Sequence, residues 1–207
     1  MFRLAVSNLI QNKTRLLISV GGVGLALTLV LFFGAVFSGV QGRLTAYIDR
    51  AGADVWVSQE GVRTMHMSES ALPASVVGQV QAVPGVQRAV PILYTESMLE
   101  AKGDEYIVYV FGVSPDAPFG GPWRIVDGAA TPGPAEVIID HAIATQAGLR
   151  VGDQVTVLGQ EMNIAGLTSG TSSLASSVSF VRMDDFARVR GGNDVISFVL
   201  VKVQAGE

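Results

Sequence analysis

The chain is 207 residues long, 49 % hydrophobic, free of cysteine, and carries a formal net charge of −4. The absence of cysteine excludes disulfides, thiol catalysis and zinc–thiolate sites, and the acidic balance argues against a nucleic-acid partner. Charge is unevenly spread: residues 1–40 hold Arg3, Lys13 and Arg15 with no acid, while the rest holds the other 11 Lys and Arg against all 18 Asp and Glu, a formal −7.

Residues 1–15, MFRLAVSNLIQNKTR, read as a short amphipathic helix. Phe2, Leu4, Ala5, Val6, Leu9 and Ile10 supply its apolar side. Such a helix lies in a membrane interface or packs on a cytoplasmic partner. Leu16 to Val40 follows, 25 residues without a charged side chain. A helix of that length crosses a hydrocarbon core of ~30 Å with some tilt, and a helix satisfies its own backbone in lipid. The run is too long for the apolar region of a leader peptide, and no A-x-A site follows it. The basic residues before the span favour a cytoplasmic N-terminus. Gly22 and Ala26, and again Ala35 and Gly39, stand four apart, a spacing that allows close helix–helix approach.

The helix is expected to continue beyond Gln41 toward Tyr47, giving a span and stalk over 16–45. Ala53–Ser58 alternates and reads as the first strand, and Gly61–Ser70 as a polar loop. A helix starting at Pro73 presents Val76, Val77 and Val80 on one side and stops before the turn pair Pro84-Gly85. Val86–Ala101 and Glu105–Val113 are strands joined by a hairpin at Lys102-Gly103-Asp104. Ser114 to Pro134 holds five of the eight prolines and reads as irregular chain, with a subdomain junction inside it. Strand Glu136–Ile139, helix Asp140–Gln146 with Gly148 just after it, and strands Gln154–Leu158 and Met162–Leu167 come next. A Ser/Thr-rich loop (Thr168–Ser177), strand Val178–Val181, helix Asp184–Arg190 and a last strand Val195–Val203 complete the reading. The expected fold class is therefore an α+β extracytoplasmic domain over 46–207 on one N-terminal transmembrane helix. Two small subdomains are expected, 46–115 with 195–204 and 130–190.

Catalytic chemistry finds little support. His66 and His141 have no partner at ligand spacing, so neither suggests a metal site. Asp184-Asp185 is expected to cap the helix that follows rather than to act as a carboxylate pair. Glu100, Asp104 and Glu105 suit a solvated turn. The serines of 171–177 lack a G-x-S-x-G elbow or S-x-x-K dyad. Gly21-Gly22-Val23-Gly24 lies in an apolar run without the lysine of a P-loop. Trp56, Phe119 and Trp123 are the aromatics with two open roles: packing in the core or between subdomains, or anchoring a protein partner.

The order of these pieces resembles a known family. The amphipathic start with Arg3, Asn8, Lys13 and Arg15 precedes a Gly-rich span and Gly52-Ala-Asp-Val-Trp-Val57. Val83-Pro-Gly-Val86, Phe111-Gly-Val113 and Pro118-Phe-Gly-Gly-Pro-Trp123 follow. Glu136-Val-Ile-Ile-Asp140 and Ala147-Gly-Leu-Arg-Val-Gly-Asp-Gln-Val155 close the series. Together they resemble the N-terminal half of an ABC-transporter permease of the MacB/FtsX/LolC type, heterocyst-exporter permeases included. The resemblance implies a non-catalytic subunit in a bacterial inner membrane, with further membrane helices after this sequence and a large periplasmic domain after the first. It implies a dimer of permease subunits, a separate cytoplasmic ATPase that holds ATP and Mg, and often a periplasmic adaptor. ATP-driven helix motion would then move the outer domain mechanically to export or extract a substrate. Arg3 and Arg15 would lie near the ATPase, and this chain itself would hold no cofactor. The alternative is a complete single-pass anchored periplasmic binding or adaptor protein.

Overall fold

A computed structural model describes residues 13–44, 46–62, 70–171 and 177–204. Nearly all of the expected interfacial helix with Arg3, the loop around His66, and serines 172, 173 and 176 lie outside the described residues. The chain divides into two compact units, Met1–Gly42 and Arg43–Glu207.

The described residues of the first unit belong to helix α1, Lys13–Leu44, which runs unbroken through Gly21, Gly22, Gly24 and Gly34. Its window Lys13–Phe37 has a mean hydropathy of 2.5 and none of it is buried within the chain. Apolar side chains face outward on every side, from Leu17 and Ile18 to Phe33 and Phe37. A helix that is apolar all round cannot use water as its solvent. The hydroxyl of Thr28 donates to Gly24 O at 2.8 Å, so even this polar group is satisfied within the helix.

In the second unit the elements follow in the order α2 (Ala46–Arg50), β1 (Val55–Val57), β2 (Leu72–Pro73), α3 (Val76–Gln81), β3 (Val86–Ala101) and β4 (Asp104–Val113). Next are β5 (Ile125–Gly128), β6 (Glu136–Asp140), α4 (His141–Ala147), β7 (Gln154–Val157) and β8 (Gln160–Thr168). The last are β9 (Ser177–Arg182), α5 (Met183–Arg190), β10 (Val195–Ile196) and β11 (Phe198–Val203). Two hairpins turn tightly where both connecting residues have positive φ, Lys102-Gly103 and Leu158-Gly159, the backbone that matches strand twist.

Strand order is β1-β11-β3-β4-β9-β6-β8-β5, with β7 bridging β3 and β8. The pairings β3–β4–β9–β6–β8–β7 therefore return to β3 and close a six-stranded ring. Only two residue pairs, Leu99 with Val157 and Glu100 with Thr156, make the β3–β7 seam. Strands from both expected subdomains thus share one hydrogen-bonded sheet. Alternation separates two apolar clusters. Leu99, Val108, Val110, Val137, Ile139, Val157, Met162 and Ile164 line the inner face of the ring. Tyr94, Phe111, Ile138, Phe180, Phe198 and Leu200 pack on the other face, under α2.

The hydrophobic period locates β3 to the residue and α4 nearly so. Asp140 caps α4 by accepting from Ala142 N at 2.7 Å, and Gly148 ends it in the left-handed region. Four expectations need correction. The helix expected from Pro73 begins only at Val76, because Leu72-Pro73 is bridged to Val195-Ile196 and Ala74 N–H donates to Asp194 O. The 114–134 stretch is not wholly irregular: β5 lies within it, paired with β8 through a bulge. The last strand is broken at Ser197, whose N–H leaves the ladder for Ile92 O, so β10 joins β2 while β11 joins β3. Asp184 and Asp185 do not cap α5; Arg182 holds the cap position, and both acids lie in the first turn. Asp185 is buried, accepts from Ala135 N at 2.8 Å and pairs with Arg188 at 3.0 Å.

Where β5 meets β8 the backbones come unusually close. A Cβ on Gly166 would lie 2.2 Å from Ala129 O, a backbone atom that cannot swing aside. Gly166→Ala is accordingly expected to cost ~1–3 kcal/mol by forcing the strands apart. Hydrogen exchange should show the largest loss of protection at Ala129 N–H, beyond the smaller loss shared by the ring amides.

Candidate functional site

α1 ends at Leu44, and α2 begins two residues later. What the chain does there defines the candidate site. Tyr47, in the first turn of α2, is 2 % exposed. Its ring stacks on Phe111 of β4 with centroids 3.7 Å apart, and Trp56, Trp123 and Phe180 surround it at 5.7, 5.8 and 6.1 Å. Its hydroxyl donates to Gly120 O at 2.7 Å, which satisfies the one polar atom carried into this apolar setting. Burial pushes the phenol well above its ordinary pKa.

The 118–123 loop locks over this ring. Gly120 N–H donates to Ala51 O at 2.8 Å, so the loop grips α2 through both its backbone groups. Gly120 has φ +86, and a Cβ there would meet Leu200 Cδ1 at 2.6 Å, so only glycine serves. Arg50 closes the far end of α2 by donating to Gly170 O at 3.1 Å. Beside the loop lies a cleft of about 380 Å³ lined by Arg50, Phe119, Pro122, Trp123 and Thr131 among others.

β1 carries the chain onward as the neighbour of β11, with Val55, Trp56 and Val57 opposite Val201, Leu200 and Val199. Asp54 fastens this pair: Oδ1 accepts from Lys202 Nζ at 2.7 Å and Oδ2 from Val203 N at 2.9 Å. The Lys202 side-chain hydrogen bond, then the Val203 amide, holds the Asp54 carboxyl below its usual range. A depressed carboxyl stabilises the fold above its unfolded pKa and loses that effect as pH falls through its folded value. Acidification below about pH 4 is therefore expected to release Val203 N–H to exchange before the ring amides respond. Asp54→Asn should remove that acid dependence.

The sequence-selected residues distribute as follows. Trp56 and Trp123 meet around Tyr47, and Phe119 packs against the same outer cluster; all three are half-buried. Both indole N–H groups are buried without an oxygen or nitrogen acceptor, and each indole lies edge-to-face with a ring, Phe198 at 5.9 Å and Phe180 at 5.7 Å. Arg15, Gly22 and Ala26 lie exposed on α1 with Ala35, and Gly39 lies on its backbone. His141 is an exposed first residue of α4, with Nδ1 3.0 Å from Thr145 Oγ1. Glu100, Asp104 and Glu105 border a second cleft of about 330 Å³ with Glu161 and Lys102. Among the described residues no three His, Asp or Glu side chains gather to hold a metal.

Sequence reasoning missed Tyr47, Asp54 and Gly120 as a set. The one available signal was Tyr47 itself, an aromatic residue seven positions beyond the end of the apolar run. Asp54 stood within the Gly52-Ala-Asp-Val-Trp-Val57 piece, but nothing local marked its role, because its partner stands 148 residues away. The described residues of the arrangement contribute packing and hydrogen-bonding groups. Its chemistry is adhesive: it holds the chain that leaves α1 to the face of a barrel.

The model of the MacB-like periplasmic core domain family matches residues 16–207. An uncharacterized ABC transporter permease of Mycobacterium bovis is 26 % identical over 164 residues, 79 % of this chain and 45 % of its own length. Another from Mycobacterium tuberculosis is 25 % identical over 171 residues, 83 % of this chain and 47 % of its own. The chain thus spans about half the length of the curated relatives it matches. Among solved structures, the periplasmic region of MacB from Actinobacillus actinomycetemcomitans superposes with a TM-score of 0.55 at 13 % identity, covering 73 % of this chain and 74 % of that one. The extracellular domain of the noncanonic ABC-type transporter YknZ from Gram-positive bacteria gives the same score and identity, covering 73 % and 83 %. At that identity the likeness is one of fold. An apolar helix followed by a mixed barrel domain, matched by one family model from Leu16 to Glu207, places the chain in the MacB-like periplasmic core domain family of ABC transporter permeases.

Proposed function

We propose that this chain is the first span and extracytoplasmic domain of an ABC permease that converts ATP hydrolysis by a separate cytoplasmic subunit into movement of the outer domain, for export or extraction of a substrate. Residues 1–15 are assigned from their sequence to the cytoplasmic side, 16–45 to a span and stalk in the inner membrane, and 46–207 to the periplasmic domain. Within it, 46–115 with 195–204 and 130–190 act as two subdomains. Arg3 and Arg15 lie toward the ATPase, which carries ATP and Mg; the permease pairs with a second permease subunit, and Phe119 and Trp123 offer contacts to an adaptor. The span packs through Gly22, Ala26, Ala35 and Gly39 against other membrane helices and lipid.

One observation carries this reading: β1, the first strand after α1, is hydrogen-bonded to β11, the last described strand. A domain whose two chain ends leave side by side is suited to insertion between successive membrane helices. The test is to extract the native protein from its own membranes and to measure intact mass and co-purifying subunits. A mass well above that of 207 residues, with a subunit that hydrolyses Mg-ATP, is the expected result. A mass equal to this chain, without such a subunit, would replace the permease with an anchored binding protein.

A further inference from the structure

We propose that Tyr47 is the positioning residue at which load arriving along the chain from α1 is taken up by the barrel domain; its part in transport rests on the permease reading above. Tyr47 is the first described buried side chain after α1, three residues beyond Leu44. A link of that length reaches no more than about 11 Å even when fully extended, so little chain can pay out before the ring bears load.

The ring is held from several directions at once. Phe111 of β4 stacks under it, Phe180 of β9 and Trp56 of β1 border it, and Gly120 of the 118–123 loop accepts its hydrogen bond. β4 and β9 are neighbouring parallel strands of the closed ring. Load on Tyr47 therefore spreads into the ring rather than peeling away one edge strand. Two attachments further along secure the same segment: Ala51 O accepts from Gly120 N, and Asp54 ties β1 to Lys202 and Val203. They act in series behind Tyr47, so the aromatic contact is loaded first. The loop that completes its socket is rich in proline and glycine, with Pro118, Gly120, Gly121 and Pro122. Proline limits the loop's freedom, and glycine permits the close approach at residue 120.

The test uses three variants. Tyr47→Phe keeps the stack and removes the hydroxyl; Tyr47→Ala empties the socket. Two glycines inserted between Leu44 and Thr45 leave Tyr47 in place but add up to about 7 Å of slack. Hydrogen exchange on the membrane-reconstituted chain reads the anchor directly. In Tyr47→Ala the Ala51 and Gly120 amides should accelerate at least about tenfold more than those of Val110 and Ile138, the pattern of a local opening added to the global loss. In the complete transporter with its ATPase, a fluorophore on Lys102→Cys reports whether the domain responds to Mg-ATP with vanadate. The response should fall about tenfold in the insertion variant and in Tyr47→Ala while ATP hydrolysis continues, within the usual range of coupling energies. Tyr47→Phe should retain most of it.

A full response in the insertion variant would overturn the proposal. So would equal exchange of Ala51 N–H in the native chain and in Tyr47→Ala. Faster exchange in Tyr47→Ala, in a protein whose native form never responds to nucleotide, would uphold Tyr47 as the anchor and remove the permease reading instead.

Discussion

Tyr47→Ala is expected to destabilise the barrel domain by ~3–5 kcal/mol, the usual cost of removing a large aromatic side chain from a packed core. The side chain is 2 % exposed and stacks on Phe111 at 3.7 Å, so its loss opens a cavity that Trp56 and Trp123 are too constrained to refill. Tyr47→Phe separates the polar part of the effect: Gly120 O loses its donor at 2.7 Å, at a cost of ~1 kcal/mol. Denaturant titration of the detergent-solubilised chain, followed by tryptophan emission, gives both values. The same residue sets an alkaline limit. A phenol whose pKa burial has raised stabilises the fold below its ordinary value and loses that effect as pH climbs. Stability should therefore hold to about pH 9 and fall above about pH 10, and Tyr47→Phe should flatten the fall.

Asp140→Ala is the second large loss, at ~2–4 kcal/mol, one part a helix cap and the rest stranded donors. Asp140 is 2 % exposed at the β6–α4 junction. One oxygen accepts from Ala142 N at 2.7 Å; the other accepts from Thr171 N at 2.8 Å and from the Thr171 hydroxyl. Thr168 extends the cluster, with its hydroxyl 2.9 Å from that of Thr171 and 3.2 Å from Ile139 O. Alanine would leave these N–H groups buried without acceptors. Asp140→Asn retains an acceptor for one of them and should cost about half as much. Unfolding midpoints of the two variants, with Thr171→Ala as a third point, check the order.

Local pattern carried a good deal of this structure. The apolar run, the bounds of β3, the Lys102-Gly103 hairpin and the stop of α4 all depend on residues a few positions apart. They were readable for that reason. The ring was not, because its seam joins Leu99 to Val157 and Glu100 to Thr156 across more than fifty residues with no local signature. β5 was hidden by its setting: Ile125–Gly128 lies in a stretch dense in proline and glycine, and its pairing is bulged. Asp185 read as a helix-start residue because acids there suit the helix dipole. That it also reaches Ala135 N, fifty positions away, depends on packing alone. The candidate site failed to appear for the same reason. Trp56 and Trp123 stood out as aromatics, but Tyr47, which joins them, has its partners on β1, β4, β9 and a loop.

Ring closure has a bearing on how such a domain avoids self-association. A sheet exposes its backbone to foreign strands only along unpaired edges. With six strands closed on one another, the two ends of the strand order are β1, three residues long, and β5, four residues long with a bulge. Edges so short and irregular make poor templates for intermolecular strand addition. Substitutions that lengthen or flatten β1 or β5 are where self-association through the large sheet should first emerge.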